Sequence, residues 1–576
     1  MRHFLLALAT TLLVLPSTAK QDGLGLTPEL DALIAFDQGQ SELRTSIQRY
    51  EEDRRALLRR YDVPLSPVRR ERLRRFYEDW QAALADLEFD ALSREGQVDR
   101  LLLENRLAFE LEMLRQEESA VAEMTVLIPY HRTLERLQEA RRDREGVDPR
   151  EVAQRVNDTA AEVERLAANV EGDAKGVVAE RAASHLETLR WLLEGWYEYH
   201  DGYDPLFTWW MAEPYERLDQ ALENHAAAIR NVFVGDAETG PVIGDPIGEA
   251  GLRAHLQHEM IPYTAQELIE FAESEFAWME EALVEAAREM GYGDDWRAAQ
   301  EAVKNLAVPP GEKPAVVLEL ERQSVAFIRE RDWITLPPLA HEIWRMEMMS
   351  PDRQRIAPFF LGGETIQISY PTHEMTHDEK LMSMRGNNPH FNRATVHHEL
   401  IPGHHLQGFM TSRFNDHRNI FNTPFWGEGW ALYWEMVLWD AGFPRGPEDR
   451  IGMLFWRMHR AARIIFSLKF HLEQMTPEEA VDFLVDRVGH ERANAEAEVR
   501  RSFAGSYPPM YQAGYMLGGI QLRALYGELV DSGRMTDREF HDAVMKGGRM
   551  PIEMVRARLS GEPLAPDFRS SWRFLD

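Results

Sequence analysis

The stretch Thr264-Ala265-Gln266-Glu267-Leu268-Ile269-Glu270-Phe271-Ala272-Glu273-Ser274-Glu275-Phe276, running on through Met279, Leu283 and Ala287 to Met290-Gly291, reads as a helix with both ends marked. Thr264 can accept from the backbone of Glu267 while Glu267 reaches back to the backbone of Thr264, so two orphan N–H groups are satisfied together. Apolar residues then recur at helical spacing, and Gly291 supplies the residue type on which helices commonly end. Outward from here the same signals repeat. Thr476-Pro477-Glu478-Glu479 predicts a second helix, running to about Val488 just before Gly489. From about residue 26 to residue 233 a charged, amphipathic helical pattern dominates, as in Leu101, Leu102, Ala108, Leu111 and Leu114 set among Glu and Arg. Strand pattern is confined to 343–349 and to 365–370, after Gly362-Gly363, which predicts a small sheet just upstream of a His-rich segment. The chain is therefore expected to be mainly α. Five Gly and two Pro between Gly235 and Gly251 mark a boundary or long loop, dividing a helical lobe at 20–235 from a second lobe at 252–576.

With 576 residues, 44% of them hydrophobic, the chain can bury one large core or two lobes sharing an interface. It opens with Arg2 and His3, a largely apolar run from Phe4 to Leu15, and then Pro16-Ser17-Thr18-Ala19, the pattern of a signal peptide over 1–19 with a mature start at Lys20. That run is too short to span a bilayer, and no later stretch is apolar enough, so export to the periplasm or outside the cell is expected, without membrane insertion. Having no Cys excludes disulfides, thiolate ligands and a lipid-modified Cys, so any metal must use His and carboxylate. A formal charge of -31 disfavours nucleic-acid binding. The Arg-rich segment 54–75 lies among Glu51, Glu52, Asp53 and Glu71 and reads as a solvated helix face.

Seven of the 20 His fall between His373 and His405. Neutral imidazoles clustered with acids are what a metal site needs. Two candidates compete there. His373-Glu374-Met375-Thr376-His377 matches H-E-x-x-H, which on a helix puts both imidazoles on one face, but Pro371 and Thr372 place it at a turn and apolar flanks are missing. It could instead line a cleft. In the second candidate His398-Glu399 precedes His404 by a gap that would set the two rings about 240° apart on a regular helix. Pro402 removes a helix hydrogen bond and Gly403 relaxes the backbone, so a local break can return His404 to the face of His398. His405 is the fallback ligand, and His397 is placed beside the set. Downstream, Glu428 and Glu435 share one face of an otherwise apolar, aromatic helix, where unpaired carboxylates are costly and call for a cation. Tyr511 and Tyr515 stand one turn apart beside small residues, as phenolic donors to an oxyanion or as a packing pair.

The pairing of His398-Glu399-Leu400-Ile401-Pro402-Gly403-His404-His405-Leu406-Gln407 with Gly427-Glu428-Gly429-Trp430-Ala431-Leu432-Tyr433 resembles the bacterial family known as domain of unknown function 885. That family is similar to the helical gluzincin peptidases of the angiotensin-converting-enzyme, thimet-oligopeptidase and Taq-carboxypeptidase groups. The resemblance implies two helical lobes around a deep cleft, with a small sheet beside the active-site helix. It implies His398, His404 and Glu428 as ligands of one Zn2+ per chain and Glu399 as general base. Tyr511-Gln512-Ala513-Gly514-Tyr515 is similar to the Tyr-x-Ala-Gly-Tyr stretch of the oligopeptidases, which implies catalytic roles for Tyr511 and Tyr515. The sequence departs in its expanded ligand spacing, and in having no acid three or four residues after Glu428 to orient a ligand His, unless Glu435 does so. The activity so implied is hydrolysis of short peptides, with the segment 365–370 aligning the substrate by strand addition. An amidase acting on non-peptide bonds and a non-catalytic metal- or peptide-binding protein are the alternatives.

Overall fold

Side-chain caps set many of the helix boundaries in the computed structural model, which describes residues 35–36, 39–235, 242–356, 359–504 and 507–575. The expected signal peptide at 1–19 lies outside these residues. At Thr264 the reciprocal box forms as anticipated, with Glu267 N–H donating to Thr264 Oγ1 (3.2 Å) and Thr264 N–H to Glu267 Oε2 (2.8 Å). The helix runs Ala265–Glu289, and Gly291 takes a left-handed φ of 86°. The box at Thr476 opens Pro477–Phe483, which continues through a single π turn, Leu484–Val488, to a left-handed Gly489. The helix Gly248–His258 was not anticipated: Ile247 precedes it and offers no side-chain cap, so nothing in the sequence announces its start.

Among the described residues the only strands are β1 (Arg345–Met348) and β2 (Thr365–Ile368), paired in parallel with Arg345 opposite Thr365. The fold is mainly α, and the small sheet stands where the alternation placed it. Ile366 and Ile368 of β2 are fully buried against Val396 and Leu400, so the sheet packs on the helix Pro389–Glu399 that carries His398. No helix among the described residues is long and apolar enough to cross a membrane.

Three large cores hold the helices. One joins Val63 to residues between 121 and 229. A second joins Ala265, Phe276 and Leu283 to Ile451, Phe466 and Met516. The third cuts across the expected division at 235–252: Ile47, Leu102 and Leu107 pack with Ile401, Trp430, Trp434 and Met554. The Arg-rich segment spends its charge on acids of the chain, as in Arg54 to Glu110 (3.0 Å) and Arg60 to Asp143 (2.8 Å).

Candidate metal centre

The histidine helix, Pro389–Glu399, opens on Asn388, whose side chain accepts from His390 and Phe391 N–H, and stops directly after His398-Glu399. Leu400 leaves helical dihedrals (φ -106°, ψ -103°), and a new helix, His404–Thr411, begins after Gly403. The break is tied from two sides: Gly403 N–H donates to His397 O (3.0 Å) and Trp430 Nε1–H to Pro402 O (2.8 Å). A Cβ on Gly403 would run into the carbonyl of His398. The glycine is therefore required for space, since its φ of -75° is open to any residue. The break brings the ring of His404 to 4.8 Å from that of His398, at right angles to it.

Glu428 comes from the glutamate helix, Pro424–Asp440, which crosses the tyrosine helix, Tyr511–Tyr526, at backbone contact. A Cβ on Gly429 would lie 2.6 Å from the Cα of Gly518, so glycine on both helices permits the approach. Glu428 Oε2 stands 3.0 Å from His404 Nε2 and 3.5 Å from His398 Nε2. One ligand atom from each of the three lies within 4.8 Å of the others. Two turns further along, Glu435 accepts from His398 Nδ1 (2.6 Å), which leaves Nε2 to face Glu428. Seven residues return to the same helix face to within about 20°, so Glu435 takes the place of the absent acid three or four residues after Glu428. Two imidazole nitrogens and a carboxylate oxygen, with one imidazole oriented from behind by a second carboxylate, fit a zinc ion.

Electrostatics favour a cation here. Burial alone would strip His398 and His404 of their protons, but the bonds and charge of Glu428, with Glu435 and Glu399 nearby, hold both above the usual imidazole range, His404 at about 9. Against its own burial, Glu428 is held well below the carboxylate range by the same two rings. A metal ion must displace these protons to bind, so uptake is favoured by rising pH.

Glu399 is half-buried, follows His398 directly and lies against Gly362, whose Cβ, were there one, would strike its carboxylate. Tyr511 donates to Glu428 Oε1. The Tyr515 hydroxyl makes none of the described hydrogen bonds; its ring is stacked 6.1 Å from that of His398. Burial, with the charge of Glu428, raises both phenols above their ordinary range, so both remain donors. The other sequence candidates lie elsewhere. His405 donates to the carbonyl of Ala340 (2.6 Å). His397 is buried edge-on to Phe443, its ring nitrogens unpartnered, and supports the break only through its carbonyl. His373, Glu374 and His377 are exposed; the helix there starts only at His377, so H-E-x-x-H never forms a single face. Glu374 lines a separate cavity with Gln354, Thr372 and Asn494. The expected strand addition at 365–370 meets an obstacle, because Gln367 N–H and C=O are both taken by Leu361, on the edge of β2 away from β1. Sequence reading missed Arg460 and Arg463, buried 4.8 and 4.3 Å from the Tyr515 ring centroid. Their signal was the run Arg457, Arg460 and Arg463, three apart and all buried on the helix Pro447–His471.

The model of a family described as "Bacterial protein of unknown function (DUF885)" matches residues 53–559. A solved chain from Shewanella oneidensis, provisionally named a lipoprotein of unknown function, is 16% identical, with a TM-score of 0.65 over 88% of this chain and 98% of that one. Another provisionally named lipoprotein, from Colwellia psychrerythraea, is 16% identical, with a TM-score of 0.58 over 90% of this chain and 97% of that one. At such identity the likeness concerns the fold. None of the curated proteins matches the chain.

Proposed function

We propose, for a chain that belongs to the DUF885 family of bacterial proteins, an exported zinc-dependent peptidase acting on short peptides. The observation that carries this reading is the convergence of His398, His404 and Glu428 on one point, with Glu399 next in the chain to the first of them. Zinc bound there supplies Lewis acidity, lowering the pKa of water and polarising a carbonyl. Glu399 takes the proton of the attacking water and delivers it to the leaving amine. Tyr515 donates its free hydroxyl to the oxygen that becomes negative. Glu435 keeps His398 in the tautomer that presents Nε2, and Tyr511 holds Glu428 in place. The outer edge of β1, unpaired among the described residues, replaces 365–370 as the edge along which a peptide backbone is aligned. Export is supported by the leader-like residues 1–19 and by the provisional naming of both similar solved chains as lipoproteins.

The test is incubation of purified protein with a peptide library, with and without a chelator, and mass spectrometry of the fragments. Chelator-sensitive cleavage is expected, falling by at least ~100-fold in Glu399→Gln while the metal at this site is kept, because the amide preserves shape but takes no proton. Cleavage only of non-peptide amides would make the enzyme an amidase, and metal binding without turnover would make it a binding protein.

A further inference from the structure

A second set of donors lies far along the chain from the first, in the core built mainly from residues 121 to 229. His131 and Glu135, one turn apart on the helix His131–Arg142, meet His185 of the helix Gly176–His200. Their side chains are 4%, 0% and 2% exposed. One ligand atom from each lies within 4.8 Å of the others, and both imidazoles converge on a single carboxylate oxygen. Glu135 Oε1 is 2.9 Å from His131 Nδ1 and 3.2 Å from His185 Nε2. The other oxygen of Glu135 is held by Arg132, which also reaches Glu139.

Hydrogen-bond direction is compatible with a lone pair of His131 turned toward the carboxylate. The Thr125 hydroxyl donates to Val121 O (2.8 Å), so its oxygen can only accept from His131 Nε2 (3.4 Å). A neutral imidazole that donates through Nε2 turns the lone pair of Nδ1 outward, here onto an oxygen that carries only lone pairs. A metal ion taking both lone pairs would satisfy these two atoms, 2.9 Å apart, in place of a proton on Nδ1. Thr125 stands where the outer partner of a ligand imidazole usually stands, fixing its tautomer. We propose that His131, Glu135 and His185 form a second metal site, binding a divalent transition-metal ion of the zinc class that cross-links the two helices. Two nitrogens and one oxygen suit that class of ion. Burial on all three side chains makes the site structural, without access for a substrate.

The proposal stands independently of the hydrolytic site, and metal analysis separates the two. The full-length protein, purified with zinc present and then desalted, should carry about two zinc ions per chain, with about one left in the double variant His398→Ala/Glu428→Ala and about one left in His185→Gln. His185→Gln should also melt at a lower temperature than the parent, and added zinc should not restore it. Should His185→Gln fail to fold, cobalt(II) titrated into the metal-stripped double variant must still give one equivalent with the visible absorption of a low-coordinate site. A single zinc lost with His398 and Glu428, and no cobalt uptake in the double variant, would overturn the second site and leave the first standing. A single zinc lost with His185 alone would do the reverse, and an imidazolium in place of the ion would show as a protein with no metal at this position.

Discussion

Tyr511 and Tyr515 stand one turn apart with different partners, and the difference is testable. Tyr511 donates to Glu428, so Tyr511→Phe should lower zinc affinity by roughly 10-fold or more, as loss of a partner behind a ligand does. In the proposed mechanism the Tyr515 hydroxyl bonds only as charge develops, so Tyr515→Phe should keep zinc and fold while kcat drops on the order of 100-fold with KM little changed. Steady-state kinetics with metal analysis would check both, and near-normal turnover in Tyr515→Phe would return that residue to a packing role. Glu259 makes a prediction of another kind. Buried beside Thr423, whose hydrogen bond works the other way, its carboxyl is pushed by burial from 4.5 to about 8. Between those values the folded state holds a proton that the unfolded chain has released, so stability is complete below the lower value and declines as pH rises through the window. Glu553, raised to about 7 mainly by burial, adds a slope of the same sign. Glu259→Gln needs no proton, and should flatten, without abolishing, the fall in Tm across this range and gain a few kcal/mol at its alkaline end. An unchanged slope by calorimetry would mean that Glu259 carries its charge in the fold.

At the scale of elements, the crossing of the glutamate and tyrosine helices sets the distance between Glu428 and both phenols. A Cβ on Gly518 would meet the carbonyl of Phe425 and the Cα of Gly429, backbone atoms that cannot turn aside. Gly518→Ala should therefore cost about 1–3 kcal/mol or more and weaken zinc binding by moving Glu428. Gly408, also helical but with nothing within 4 Å of its added Cβ, is the control: Gly408→Ala should gain up to about 1 kcal/mol. Equal losses of Tm in the two variants would refute the role of the crossing. Elements were legible in the sequence where a side chain announces them. Thr264 and Thr476 did so, and Gly248–His258 did not because Ile247 caps nothing. The H-E-x-x-H match misleads because its meaning depends on a helix that Thr376 and Glu379 cap into starting at His377. The approach of His404 to His398 was legible because Pro402-Gly403 marks a break between them, whereas the choice of Glu428 came from the family resemblance. The set of His131, Glu135 and His185 was not legible, because an i,i+4 pair is ordinary in a helix and His185 joins it from 50 residues away.

For the whole molecule, the question is whether the half that carries His398, His404 and Glu428 can stand alone, as a division at 235–252 would allow. The packing argues that it cannot. Ile47, Tyr50, Leu102 and Leu107 fill the same core as Trp426, Trp430 and Trp434 of the glutamate helix. Arg418 is fully buried, with Nε on Asp99 (2.6 Å) and Nη2 on Glu95 (2.7 Å), and His417 also donates to Asp99 (2.7 Å). Arg558 binds the other oxygen of Glu95 (2.7 Å). Cutting the chain to 242–575 would expose that apolar core to water and remove the carboxylates that tie Arg418 to the first helices. Trp430 also holds the break between His398 and His404 through Pro402, so loss of its packing reaches the ligands directly. The shortened chain is expected to unfold without a cooperative transition and to bind no stoichiometric zinc at His398, His404 and Glu428, and adding residues 39–235 as a separate chain should restore both. In the full-length protein, Asp99→Asn should lower Tm sharply with zinc still bound below the transition, which separates loss of the tie from loss of the ligands. A fragment of 242–575 that melts cooperatively and binds zinc would show instead that the first helices are an addition to a self-sufficient half.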